Sequence, residues 1–194
     1  MWRGSVRGSS APGTSQSPVD LGSPVAGTEG ELVINYRTSL VFAREADSTL
    51  EFKVASGSAI AYGRRRYGLN QFHFHTPSEH AIGGELAVAE IHFVHMDRDG
   101  NPAVVAVFVD ENGESKGPRR LEQGMPMGLL LPESTTHYAY DGSLTTQPFS
   151  EGVKWMILTE RVTMHPSWIE AFCERYGPNN RPVQPLNGRT ITLG

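Results

Sequence analysis

The chain has 194 residues, 38% of them hydrophobic and 20% charged, with a formal net charge of -4. That length suits one domain with a sizeable core, and the composition is that of an ordinary globular protein. The charge leaves no basic footprint for nucleic acid, and no run approaches the ~18 apolar residues of a membrane-spanning helix.

Residues 1–15 are rich in Gly and Ser and carry Arg3 and Arg7 without an apolar stretch. They read as a flexible lead rather than a signal peptide, and residues 16–194 as the functional domain. Several short runs then suit strands. Residues 50–54 (LEFKV) alternate, and residues 86–95 (LAVAEIHFVH) mix alternating and continuous patterns. Residues 103–109 (AVVAVFV) are continuously apolar, which suits a strand buried on both faces, and residues 153–159 (VKWMILT) resemble another central strand. Near the end, Pro166 fits the first position of a helix that continues through WIEAFCERY, and Gly177 fits its C-terminal cap. The single cysteine, Cys173, cannot form an internal disulfide and reads as a helix thiol.

Five of seven histidines fall within 23 residues, in QFHFHTPSEHAIGGELAVAEIHFVH. If residues 71–75 are extended, His73 and His75 face the same way, separated by roughly 6.6 Å of strand rise, and can converge on one ion. Phe72 and Phe74 face the opposite side. A second strand through EIHFVH puts Glu90, His92 and Val94 on one face and Ile91, Phe93 and His95 on the other. Pairing the two strands lets His92 complete a three-imidazole face, the ligand set of catalytic zinc with an open fourth position. Uncharged ligands leave the ion its full charge, which lowers the pKa of bound water to about 7. Gln71 precedes His73 by two residues and Glu90 precedes His92 by two, so each is placed to accept its neighbour's remaining N–H.

His80 and His95 read as hydrogen-bonded core histidines. His137 and His165 fall in loop-like stretches and read as surface residues. Arg64–Arg65–Arg66 reads as a solvated turn rather than an anion site.

These blocks resemble the alpha-class carbonic anhydrases, in particular bacterial members with a longer N-terminus. The similarity runs from Gln16 nearly to the end. It includes QSPVDL (16–21), QFHFHTPSEH (71–80), AEIHFVH (89–95), LLPES (130–134), YDGSLTTQP (140–148), EGVKW (151–155) and NNRPVQPLNGR (179–189). Carbonic anhydrase is itself the type example of zinc-bound water with a pKa of about 7. The resemblance implies a mainly β single domain around a twisted mixed, mostly antiparallel sheet of about ten strands with a few short peripheral helices. It implies zinc on His73, His75 and His92, and reversible hydration of carbon dioxide to bicarbonate and a proton by a zinc-bound hydroxide. It assigns Thr145 as the gatekeeper threonine and Glu79 as its buried partner. Carbon dioxide would lie against Val94, Val104, Leu144, Val153 and Trp155, with Thr146 near bound bicarbonate. An ionised Glu79 only accepts hydrogen bonds, so the Thr145 hydroxyl donates to it and its oxygen accepts from the nucleophile, aiming a lone pair at the substrate.

The sequence departs from that pattern at the cavity rim. The position that often carries a proton-shuttling histidine is Ser48, whose hydroxyl takes up no proton near neutral pH, and Glu51 stands where a polar neutral residue is common. Proton release is therefore expected to depend on buffer or on Glu51. Ser10 and Phe149 stand where bacterial secreted relatives carry a disulfide. The resemblance suggests a periplasmic or secreted enzyme, while the missing bridge and absent leader leave the compartment open, as does the sequence for oligomeric state, a homodimer included.

Two other readings compete. A cupin-type metal enzyme would use His73, His75 and Glu79 itself as ligands, with iron or manganese. A non-catalytic relative would keep the fold as a binding module.

Overall fold

The computed structural model describes residues 13–27, 30–46, 49–114 and 125–194. Ser10 and Ser48 lie outside these residues, as does most of the lead. Within the lead, Ser15 already donates its amide to Glu151 Oε1 at 2.7 Å, and Thr14 accepts from Asn187, so attachment to the domain begins before Gln16.

In chain order the strands are β1 (Val25–Ala26), β2 (Leu32–Asn35), β3 (Thr38–Ser39), β4 (Val41–Ala46) and β5 (Thr49–Val54). They continue with β6 (Ala59–Tyr62), β7 (Arg65–His75), β8 (Ala81–Ile82), β9 (Glu85–Leu86) and β10 (Ala89–Met96). The last are β11 (Pro102–Glu111), β12 (Met125–Pro126), β13 (His137–Ser143), β14 (Glu151–Met164) and β15 (Thr192–Leu193). Eleven strands form one sheet in the order β1-β15-β13-β14-β11-β10-β7-β5-β4, with β6 also on β7 and β2 on β6. Among the described strands, β1–β15 and β11–β14 pair parallel within it and the rest antiparallel. Among the described residues the helical structure is α1 (Pro166–Tyr176) and one 3-10 turn at Met127–Leu130.

β11 lies between β10 and β14, and both faces of its apolar run are covered. Ala103, Val105, Val107 and Val109 enter one apolar cluster; Val104, Ala106 and Phe108 enter another on the opposite face. β10 continues this division, with Ile91 and Phe93 in the first cluster and Val94 in the second. The second face, reached also by Trp155 and Val153 of β14, carries His92 and Glu90.

β7 reaches that face by a change of phase. Tyr67 and Leu69 belong to the first cluster, yet Phe72 belongs to it as well, three residues beyond Leu69. The register with β10 slips here: Val94 faces Gln71 while His95 faces Leu69. The extra residue, Asn70, forms a bulge that reverses the alternation and turns Gln71, His73 and His75 onto the second face. Without it the odd-numbered residues of β7 would all face the first cluster.

The helix is as the sequence indicates. Pro166 occupies its first turn, His165 Nδ1 accepts from the Ser167 amide at 3.2 Å, and Gly177, at φ 61°, donates to the Cys173 carbonyl at 2.7 Å. His165 is thus a half-buried helix cap. His137 departs from the surface assignment: it opens β13, is 3% exposed, and lies edge-on to Tyr62, because the strand begins directly after Thr135–Thr136. The Arg run is exposed as expected, but the turn is confined to Gly63–Arg64, since Arg65 already pairs with Tyr62.

Candidate active site

Antiparallel pairing places His92 directly opposite His73 and Glu90 opposite His75. Nitrogens of His73, His75 and His92 lie within 4.8 Å of one another. The ring centroids are 5.0 Å apart for His73–His75, 5.3 Å for His73–His92 and 4.6 Å for His75–His92.

Each ring has one nitrogen occupied from behind. Gln71 Oε1 accepts from His73 Nδ1 at 2.9 Å. The Asn179 carbonyl accepts from His75 Nδ1 at 3.1 Å. Glu90 Oε1 accepts from His92 Nε2 at 3.0 Å. The nitrogens left to face one another are therefore Nε2 of His73, Nε2 of His75 and Nδ1 of His92. His75 Nε2 is buried without a hydrogen-bond partner, as is the adjacent Glu79 Oε2.

Burial pushes His73 well below its ordinary value, with the neighbouring rings His75 and His92 adding to it, and burial lowers His75 as well. Both rings are neutral at pH 7, with a lone pair to offer. Burial opposes a charge on His92 too, but the Glu90 carboxylate outweighs it and raises this ring, making it the more basic ligand. Three converging imidazoles, one of them with an orphaned buried nitrogen, fit a zinc-type divalent ion with an open position.

Glu90 accepts four hydrogen bonds. Its Oε2 takes the amides of Glu79 and His80 at 2.8 and 2.9 Å, and its Oε1 takes His80 Nδ1 at 2.7 Å besides His92. Burial disfavours its charge, yet His80 and His92 together hold it well below the usual carboxylate range. His80 Nε2 meets Tyr140 Oη at 2.7 Å, and Tyr140 donates to Ser17 Oγ. His80 and His95 are both wholly buried, as expected of core histidines; His95 lies on the opposite face, 2.7 Å from Tyr36 Oη.

In front of His73 and His75 lies a cavity of about 650 Å³ whose walls include Glu51, Gln71, Glu79, Thr145 and Thr146. Glu79 and Thr145 thus share a cavity, but the hydrogen bond expected between them is not formed. Glu79 Oε1 accepts from the Arg181 amide at 2.7 Å, while Oε2 turns toward the rings, 3.6 Å from His75 Nε2 and 3.8 Å from His92 Nδ1. Val94, Val104, Leu144, Val153 and Trp155 pack together in the second apolar cluster. Trp155 stands edge-on to His92 with centroids 4.9 Å apart, so this apolar group adjoins the histidines. Glu51 is ion-paired to Lys53 at 3.2 Å.

Sequence reading gave no role to Asn179 or Arg181. Asn179 holds His75 through its carbonyl and also accepts from the Thr76 amide at 2.9 Å. Both residues belong to the NNRPVQPLNGR block, whose only signal was its resemblance to a family.

The family model for eukaryotic-type carbonic anhydrase matches residues 1–194. The chain belongs to the carbonic anhydrase family. The carbonic anhydrase of Neisseria gonorrhoeae is 36% identical over 194 residues, covering 92% of this chain and 77% of that protein. The alpha-carbonic anhydrase of Thermovibrio ammonificans, solved with the inhibitor sulfanilamide, superposes with a TM-score of 0.85 at 35% identity, covering 93% of this chain and 87% of that one. A hyperthermostable carbonic anhydrase identified from a hydrothermal vent chimney gives 0.87 at 37% identity, covering 93% and 88%. The large mixed sheet is that of the alpha-carbonic anhydrases, and the protein is an enzyme of that family. These matches set the cupin reading aside. No helix among the described residues is long and apolar enough to cross a membrane.

Proposed function

We propose that the chain catalyses reversible hydration of carbon dioxide with zinc held by His73 Nε2, His75 Nε2 and His92 Nδ1. The observation that carries this reading is the division of labour in each ring: one nitrogen anchored by Gln71, Asn179 or Glu90, the other turned to a common point. Zinc bound there supplies a water of lowered pKa as nucleophile near neutral pH.

The other residues orient and exclude. Thr145 would donate its hydroxyl proton to Glu79, leaving its oxygen to accept from the nucleophile and fix its direction. Glu79 has the acceptor capacity for this, since Oε2 accepts no hydrogen bond. Val94, Val104, Leu144, Val153 and Trp155 offer an apolar seat to an uncharged substrate that donates no hydrogen bond, and Thr146 a polar contact for the anionic product. Ser48 offers no proton acceptor, so release falls to buffer or to Glu51, which lies on the cavity wall. A primary sulfonamide, as its anion, competes for the same site.

Stopped-flow carbon dioxide hydration, measured with zinc content, tests the proposal. Activity should track bound zinc, disappear on chelation and return on zinc addition. A protein that binds zinc stoichiometrically but hydrates no carbon dioxide is instead a binding module.

A further inference from the structure

Phe149 is one of two non-glycine residues among those described with a left-handed backbone, at φ 59°. A bulky side chain rarely adopts this conformation, and it persists only where surrounding contacts impose it. Those contacts converge on Arg181. Its guanidinium lies over the Phe149 ring, 3.8 Å from the centroid. Its Nη1 donates to Gln16 Oε1 at 3.0 Å and to the Ser17 carbonyl at 2.6 Å. Gln16 in turn donates to the Phe149 carbonyl at 3.3 Å and to Glu151 Oε1 at 3.0 Å. Gln16 and Ser17 are buried, so the guanidinium is held from behind and not merely resting on the ring.

The same Arg181 donates its amide to Glu79 Oε1. Phe149 donates its amide to the Thr146 carbonyl at 2.8 Å and closes the loop that carries Thr145. One residue thus links the carboxylate to the loop that must meet it. We propose that Phe149, Arg181 and Gln16 form a clasp that sets the position of the Thr145–Phe149 loop against Glu79, which makes Arg181 and Phe149 positioning residues for hydration. The ring–guanidinium contact supplies the hold because it is planar on both sides, a geometry that neither a lysine nor an aliphatic side chain reproduces. The kinetic part rests on the proposed function; the mechanical part does not.

The experiment compares Phe149→Leu, Phe149→Tyr, Arg181→Lys and the Phe149→Leu/Arg181→Lys double variant. Amide hydrogen exchange is read in zinc-free and zinc-loaded protein, alongside kcat/KM for carbon dioxide per bound zinc. Phe149→Leu and Arg181→Lys should speed exchange at Phe149 about tenfold or more, leave the Val105 and Ile157 amides unchanged, and lower kcat/KM by about tenfold. The double variant should be no worse than the worse single one, since both single variants remove the same ring–guanidinium contact. Phe149→Tyr should match the parent in both readouts. Unchanged exchange in Phe149→Leu and Arg181→Lys overturns the clasp. Faster exchange with parental kcat/KM shows a merely structural contact and overturns the positioning role. A parent that binds zinc without hydrating carbon dioxide sinks the proposed function instead, and exchange still decides the clasp.

Discussion

Glu90 Oε1 lies 3.0 Å from His92 Nε2 and 2.7 Å from His80 Nδ1, so one carboxylate oxygen orients a candidate metal ligand and a buried core histidine together. The other oxygen takes two amides. Replacing Glu90 by Gln leaves one acceptor oxygen and sets an NH2 group against donors that cannot turn away. The ring of His92 then loses its orientation and the negative charge that raises its basicity. Glu90→Gln should weaken zinc binding by about 10- to 100-fold, read by competition with a chelating dye. Gln71→Ala should weaken it less, because Gln71 accepts from one ring only. Parental affinity in Glu90→Gln would show that the carboxylate does not tune the ligand.

Thr145 should separate orientation from metal binding. Thr145→Val keeps the shape of the side chain and removes the hydroxyl. Zinc content should stay at the parental level while kcat/KM for carbon dioxide falls by about 100-fold, the scale of a misdirected nucleophile. Thr145→Ser should retain most of the rate. Equal losses in the Val and Ser variants would point to loop packing rather than to the hydroxyl.

Those residues were legible in different degrees. His73, His75 and His92, with Gln71 and Glu90, follow from period-two alternation on two paired strands, and in the register of those strands His92 faces His73 and Glu90 faces His75. That alternation does not extend back to Tyr67 and Leu69 of β7, because the bulge at Asn70 changes its phase and no residue type at that position announces it. The third anchor could not be read at all. It is a backbone carbonyl at Asn179, 104 positions from His75, brought there by tertiary structure alone. The apolar residues of β10, β11 and β14 read individually as core, and only the resemblance grouped them. His137 falls in a loop-like stretch of sequence, although strand β13 begins with it and Tyr62 covers it.

Proton release should be limited by the rim. Glu51, although on the cavity wall, is engaged in ion pairs with Lys53 at 3.2 Å and Arg44 at 3.7 Å, and a donor titrating near pH 7 passes its proton best to an acceptor of similar pKa. Turnover at saturating carbon dioxide should therefore rise with imidazole concentration, whose pKa is matched to that donor. Ser48→His should raise turnover in dilute buffer and flatten the imidazole dependence. Fast turnover that ignores added imidazole in the parent would show an efficient internal acceptor.

His95 should govern part of the acid stability without touching the site. Burial lowers this ring to about 3, while the unfolded chain takes up the proton near the ordinary value of 6.5. Between those values the unfolded state holds a proton that the folded state refuses. Stability is therefore fully present above about pH 6.5 and falls as pH drops toward 3. In His95→Phe the unfolded chain has no such proton to take, so the loss of stability across this window should be shallower. Tyr36 loses its 2.7 Å partner in that variant, which should lower stability by about 1–3 kcal/mol at neutral pH. Denaturant midpoints of metal-free protein at pH 7, 5.5 and 4.5 read both effects. The two curves should start apart at pH 7 and draw together toward pH 4.5; parallel curves would mean that His95 takes up its proton at the same pH in the folded and the unfolded chain.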